Sequence, residues 1–234
     1  MCSNKLIHYL IKKDIDFNSF DIYDKTPLGY AIDNRDTETF NLLLNLPNLD
    51  VNIQNSQGQT YLMYLFEKIH NAKSSQISAV ANLDWNQGSE LRLNDQINNY
   101  YSIKPTNTKL ESFNQSAIPK IQINKPVGKT LENLDSVYFT YFNKLLGHKN
   151  LDINATDYLN NTILLMVSDT PNINLLRKLL NHPQINLNCQ NYQGASPFMI
   201  SIRNESWNNA KLLIEKGANP DLVDSNGHTV KKYL

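Results

Sequence analysis

The chain has little of what several functional classes require. Two cysteines, Cys2 and Cys189, are too few and too far apart for a disulfide framework or a cysteine metal site. No run of about 18 apolar residues could cross a bilayer, and no apolar segment near the N-terminus reads as a secretory leader. Charge of one sign is missing as well: 22 Lys and Arg face 22 Asp and Glu, mixed along the chain. That balance leaves no basic field to draw nucleic acid or an anionic membrane. These absences imply a protein of a reducing compartment, where sequons such as Asn160-Asn161-Thr162 carry no weight. Catalytic and ligand motifs are equally scarce. Gly128-Lys129-Thr130 ends like a phosphate loop, but Ile123 stands where the first glycine is required. The five histidines, His8, His70, His148, His182 and His228, show no ligand spacing, and nothing near Cys189 in sequence would activate its thiolate. No catalytic residue, metal site or cofactor is expected.

Asparagine is abundant instead, at about one residue in seven, and it is periodic. Short phrases of alternating apolar and polar residues end at Asn52, Asn86, Asn154 and Asn188, with a looser one at Asn124. With Asn18 in front and Asp221 behind, the spacings are 34, 34, 38, 30, 34 and 33 residues. That is the period of a repeat protein. Eight residues after the junctions stand Thr26, Thr60, Thr162, Ser196 and Thr229. Thr or Ser followed by Pro, as at Thr26-Pro27 and Ser196-Pro197, starts a helix: the hydroxyl caps an orphan N–H and proline at the first position needs no donor. Two residues before each start comes Asp24, Gly58, Asn160, Gly194 or Gly227, the types most tolerant of positive φ. Seventeen residues after the start come Leu43-Leu44, Ile77, Leu179-Leu180 and Leu213-Ile214, with Leu145-Leu146 as a shortened version, which place a second helix in each period.

The pattern Asp21-x-x-Asp24-x-Thr26-Pro27-Leu28-x-x-Ala31, followed by Leu43-Leu44 and Asp50-Val51-Asn52, resembles the ankyrin repeat, as does Gly217-Ala218-Asn219. The resemblance implies an all-α helical repeat solenoid with short β-hairpin or turn fingers. Expected units are an N-terminal capping half-repeat at 1–20, with Leu6, Ile7, Leu10 and Ile11 on one face; full repeats at 21–54, 55–88, 157–190 and 191–223; a degenerate repeat at 89–126; a shortened degenerate one at 127–156; and a C-terminal fragment at 224–234. In the alternative reading, 72–130 is one insertion.

The resemblance also implies that contacts are made by residues at the finger tips: Ile22, Tyr23, Ser56, Gln57, Tyr158, Leu159, Tyr192 and Gln193, flanked by Lys25, Gln59 and Asn161. Tyrosine suits such a role because it offers a large contact area at small entropy loss; the competing role is packing on the neighbouring finger. Short fingers are expected in 89–149, splitting the contact surface into two parts. The function implied is non-catalytic binding of a protein or peptide on the concave face, by a monomer in the cytoplasm, with no nucleic-acid or membrane partner. The alternative is a targeting module for an enzyme assembly, or for an effector secreted into a host cytoplasm.

Overall fold

The computed structural model describes residues 9, 10, 13, 15–71 and 132–233. The chain divides into two compact units, Met1–His70 with Asp135–Leu234, and Asn71–Leu134. The first unit is a stack of helix pairs. The described elements are α1 (Pro27–Asp33), α2 (Thr37–Leu44), α3 (61–71), α4 (Glu132–Leu146), α5 (Ile163–Ser168), α6 (Ile173–Leu179), α7 (Pro197–Arg203), α8 (Trp207–Glu215) and a closing 3-10 turn, Val230–Lys232.

The first helix of each pair starts as the sequence dictates. Buried hydroxyls of Thr26, Thr60, Thr162 and Ser196 accept the N–H groups of Gly29, Met63, Leu165 and Met199 at 3.2, 3.5, 3.4 and 3.2 Å. Second helices begin on Asp36, which accepts from Thr39 N–H at 3.0 Å, and on Asn172, which accepts from Leu175 N–H at 3.3 Å. Between helices the chain turns through Arg35 and Glu205, both with φ of 54°. The core runs continuously through the pairs and includes Leu28, Phe40, Leu43, Leu65, Leu164 and Leu213. Of each expected apolar pair, the first member (Leu43, Leu145, Leu179 or Leu213) is fully buried, while Ile214 is exposed.

The junction asparagines tie neighbouring units together. Asn18 donates to Asn48 carbonyl at 2.9 Å and accepts from Asp50 N–H at 2.8 Å. Asn154 does the same with Gln184 carbonyl at 2.7 Å and Asn186 N–H at 2.9 Å, and Asn188 accepts from Asn219 N–H at 2.8 Å. Asn52 makes this rung to residues far away in sequence, donating to Asn150 carbonyl at 2.7 Å and accepting from Asp152 N–H at 2.8 Å. Helix α4 correspondingly lies beside α2. The Tyr141 ring stacks on Phe40 at 4.0 Å, its hydroxyl meets Thr37 Oγ1 at 3.0 Å, and Arg35 Nε donates to the Tyr138 hydroxyl at 3.3 Å. On its other side, Lys178 of α6 sits over the Phe139 ring. The expected unit 89–126, the junctions Asn86 and Asn124, Ile77, Cys2, Leu6, Ile7, Ile11 and Gly128-Lys129-Thr130 lie outside the described residues.

Candidate functional site: a row of interlocked turns

Each unit carries one tight turn ahead of its first helix, and five of them share one construction. In the first, Asp21 Oδ1 accepts the N–H groups of Tyr23 and Lys25 at 2.9 and 3.0 Å, while Asp24 N–H reaches Asp21 carbonyl at 3.0 Å. Asn55, Asp157, Asn191 and Asp224 hold their own turns in the same way. The fourth residue lies in the left-handed region in all five: Asp24, Gly58, Asn160, Gly194 and Gly227 have φ of 58, 75, 61, 69 and 75°. These are turns rather than hairpins with paired strands; the isolated bridge between Thr156 and Thr162 is the described strand-like pairing.

The turns interlock from one unit to the next. Ser56 donates its backbone N–H to Asp24 Oδ2 at 2.9 Å and its hydroxyl to the same oxygen at 2.6 Å. Gly58 lies so close to the turn at 157–161 that a Cβ there would sit 2.6 Å from Tyr158 N and 2.7 Å from the Tyr158 ring. Tyr192 N–H donates to Leu159 carbonyl at 3.2 Å, and Ser225 N–H to Gln193 carbonyl at 2.9 Å. The turn bearing Ser56 and Gln57 therefore adjoins the turn bearing Tyr158 and Leu159. Among the described residues the row is continuous from one turn to the next; the turns expected to carry short fingers, in 89–131, lie outside them.

The expected contact residues separate into two groups. At the tips, Ile22, Tyr23, Tyr158, Leu159 and Tyr192 are 91, 70, 62, 66 and 73% exposed, large apolar surfaces left open to solvent. Ser56, Gln57 and Gln193 are exposed beside them. Tyr158 also fulfils the packing role, its ring edge against Gly58. The three flanking residues are engaged within the chain. Lys25 pairs with Asp33, Gln59 bonds to Asn55 at 3.2 Å and to Glu67, and Asn161 bonds to Asp157 and Asn191, both at 3.1 Å.

Sequence reading missed a charged cluster on the first helices. Asp33 lies between Lys25 and Lys68, the latter at 2.8 Å, and accepts the Tyr64 hydroxyl at 2.6 Å. Burial works to raise the Asp33 carboxyl, but hydrogen bonds from Lys25, Lys68 and Tyr64 outweigh it and hold it at about 2. Burial likewise opposes the Lys68 charge and Asp33 overcomes it, raising that ammonium to about 12. No motif announces this cluster, because Asp33 and Lys68 meet only across a unit boundary. His148 and His182, one period apart, do one structural job: their Nδ1 atoms accept N–H from Asn150 and Gln184, each at 3.3 Å. Cys189 is a free thiol against Thr162 Oγ1 at 3.2 Å, and burial pushes its pKa up, away from nucleophilic use. Among the described residues no helix is long and apolar enough to cross a membrane, and no group of three or more His, Cys, Asp or Glu is placed to hold a metal ion.

A family model for ankyrin repeats in three copies matches residues 136–224. No curated protein matches the chain. Among solved structures, the ankyrin repeat protein EF0377 is similar at a TM-score of 0.56 and 18% identity, over 99% of this chain and 84% of that one. An ankyrin repeat domain from Acinetobacter baumannii AYE, ABAYE2397, is similar at a TM-score of 0.58 and 15% identity, over 98% of this chain and 83% of that one. At those identities the two structures speak for the fold. With the capped helix pairs and the interlocked turns, the chain has the ankyrin-repeat fold, and its residues 136–224 match the ankyrin-repeat family.

Proposed function

We propose that this chain is a non-catalytic protein-interaction module that binds a partner protein or peptide on the concave side of the array, where turn tips and first helices lie. Ankyrin repeats are generally modules of this kind. The observation that carries the reading is the adjoining set Tyr158, Leu159 and Tyr192, exposed on two interlocked turns whose backbones are held by other residues. Rigid aromatic and apolar tips of this sort make buried anchors when a partner covers them. The module acts as a monomer in a cytoplasm, where the free thiol of Cys189 stays reduced. A targeting role for an effector or an enzyme assembly would use the same surface.

The rung from Asn52 to residues 150 and 152 supports a second element of the proposal. Helices 61–71 and Glu132–Leu146 serve as the first and second helices of one repeat, and 72–131 is inserted between them, rather than forming a third and a shortened fourth repeat.

Affinity capture from a lysate, followed by titration of the recovered protein, tests the binding face. Tyr158→Ala with Tyr192→Ala is expected to weaken binding at least ~30-fold, since truncating a buried aromatic anchor costs about 2 kcal/mol or more. Because Tyr158 also packs on Gly58, Leu159→Ala with Tyr192→Ala provides a second variant. Undiminished binding by both overturns the concave assignment.

A further inference from the structure

At the last turn of the array lies a cavity of about 240 Å³. Its apolar part is Ala195, Met199 and Ile200, which are 5, 3 and 4% exposed. Its rim carries Gln193, Asn226 and the Tyr233 ring. Arg203, the last residue of α7, completes the lining. Its side chain is exposed, and among the described residues it takes part in none of the ion pairs or hydrogen bonds.

The acid in the same lining, Asp224, is already committed. Its Oδ1 accepts the N–H groups of Asn226 and His228, both at 2.9 Å, and its Oδ2 accepts the Tyr233 hydroxyl at 2.8 Å. The cavity therefore sets an uncommitted guanidinium beside the Met199 and Ile200 side chains in an otherwise polar lining. A guanidinium presents its donors as a planar fork that matches a carboxylate with two bonds. The Asp224 carboxylate beside Arg203 repels any anion, and a doubly charged phosphate more than a singly charged carboxylate.

We propose that this cavity is a subsite for a glutamate side chain of the partner, with its methylene stem on Met199 and Ile200 and its carboxylate on Arg203. The inference rests on the concave-face reading and adds to it a chemical preference at one end of the row. In this arrangement apolar tips supply contact area, and Arg203 sets where along an acidic segment the partner registers.

The test uses the full chain, labelled with nitrogen-15, and four small probes: N-acetyl-glutamic acid α-amide, N-acetyl-glutaminamide, N-acetyl-alanine and inorganic phosphate. The glutamate probe is expected to shift the amides of Gln193, Arg203 and Asn226 saturably, with a dissociation constant about two- to fivefold below that of the glutamine probe, the range an exposed ion pair gives. Arg203→Gln, at an exposed position, is expected to abolish that difference while leaving the rest of the spectrum in place. Equal binding of the glutamate and glutamine probes, or shifts scattered away from the cavity, overturns the subsite. Equal binding of N-acetyl-alanine, which has a terminal carboxylate and no stem, overturns its assignment to a side chain, and equal binding of phosphate overturns the carboxylate preference. The titration needs no partner, so its failure removes the subsite alone, whereas full binding by both tip variants removes the concave-face reading alone.

Discussion

Gly58 and Gly227 offer a matched pair of perturbations. Both sit in the left-handed region at a φ of 75°, at the same place in two turns of one construction. A Cβ at Gly227 would meet nothing within 4 Å, whereas at Gly58 it would lie 2.6 Å from the backbone nitrogen of Tyr158. Alanine at either position takes on the left-handed penalty, about 1–2 kcal/mol, and both substitutions equally lower the entropy of the unfolded chain, a gain of about 0.4–1 kcal/mol. The difference between the two variants therefore isolates the steric contact. The Tyr158 ring can rotate away but its backbone nitrogen cannot, so the two turns must separate, at about 1–3 kcal/mol by analogy with overpacked cores. Gly58→Ala is expected to destabilise by about 2–4 kcal/mol and Gly227→Ala by about 1 kcal/mol. Gly194→Ala belongs with Gly58→Ala, since its Cβ would lie 2.5 Å from Ser225 N. Urea unfolding followed by far-ultraviolet circular dichroism reads the totals. Hydrogen exchange assigns the loss to a unit, which matters because repeat arrays unfold in stages. If Gly58→Ala costs no more than Gly227→Ala, the turn at 55–59 does not adjoin the turn at 157–161 and the continuous row is wrong.

Joining residue 71 to 132 through a short glycine-serine link should leave the helical signal of the remaining chain and its cooperative melt intact if, as proposed, the deleted part interrupts one helix pair; collapse of the melt would mean that deleted residues supply packing to the stack. Asn52→Ala removes both bonds of its rung and is expected to cost about 1–2 kcal/mol in urea unfolding, like Asn154→Ala; a neutral Asn52→Ala would break the proposed register. Asp33 has a folded pKa of about 2 against an ordinary 3.8, so its stabilising effect is present above about 4 and is lost as pH falls from there towards 2. Allowing for screening at a part-exposed site, that amounts to about 1 kcal/mol, and Asp33→Asn should flatten the acid limb of the stability curve by this much; an unchanged limb would show that the two lysines do not depend on it.

Much of the fold was legible because its signals are local. The Thr and Ser caps, the positive-φ turn positions and the inward leucines are each dictated within a few residues, and each stands where the period put it. What failed was adjacency. The Asn52 rung joins residues 100 apart where the Asn18 rung joins residues 32 apart, a difference of 68, or two periods of 34. On the proposed register, a segment of that length returns the chain in phase, which is how Asn86 and Asn124 come to read as junctions. The site was half legible for a related reason. A tip residue such as Tyr192 is exposed by its position in a turn, which the sequence specifies. Whether Lys25, Gln59 or Asn161 is free depends on partners such as Asp33, Glu67 and Asn191, and those meetings are made by folding.

In each turn a single side-chain oxygen, from Asp21, Asn55, Asp157, Asn191 or Asp224, closes the loop by accepting two N–H groups. In the Ile22-Tyr23 turn, and at Leu159 and Tyr192, the tip side chains contribute nothing to that closure. Conformation and recognition are thus written in different letters of the same short loop: one anchor and one left-handed residue set the shape, and exposed tip positions are available to be rewritten. A library varied at Ile22, Tyr23, Leu159 and Tyr192 alone should therefore yield chains that share this stability and differ in what they bind, with Tyr158 kept for its contact with Gly58.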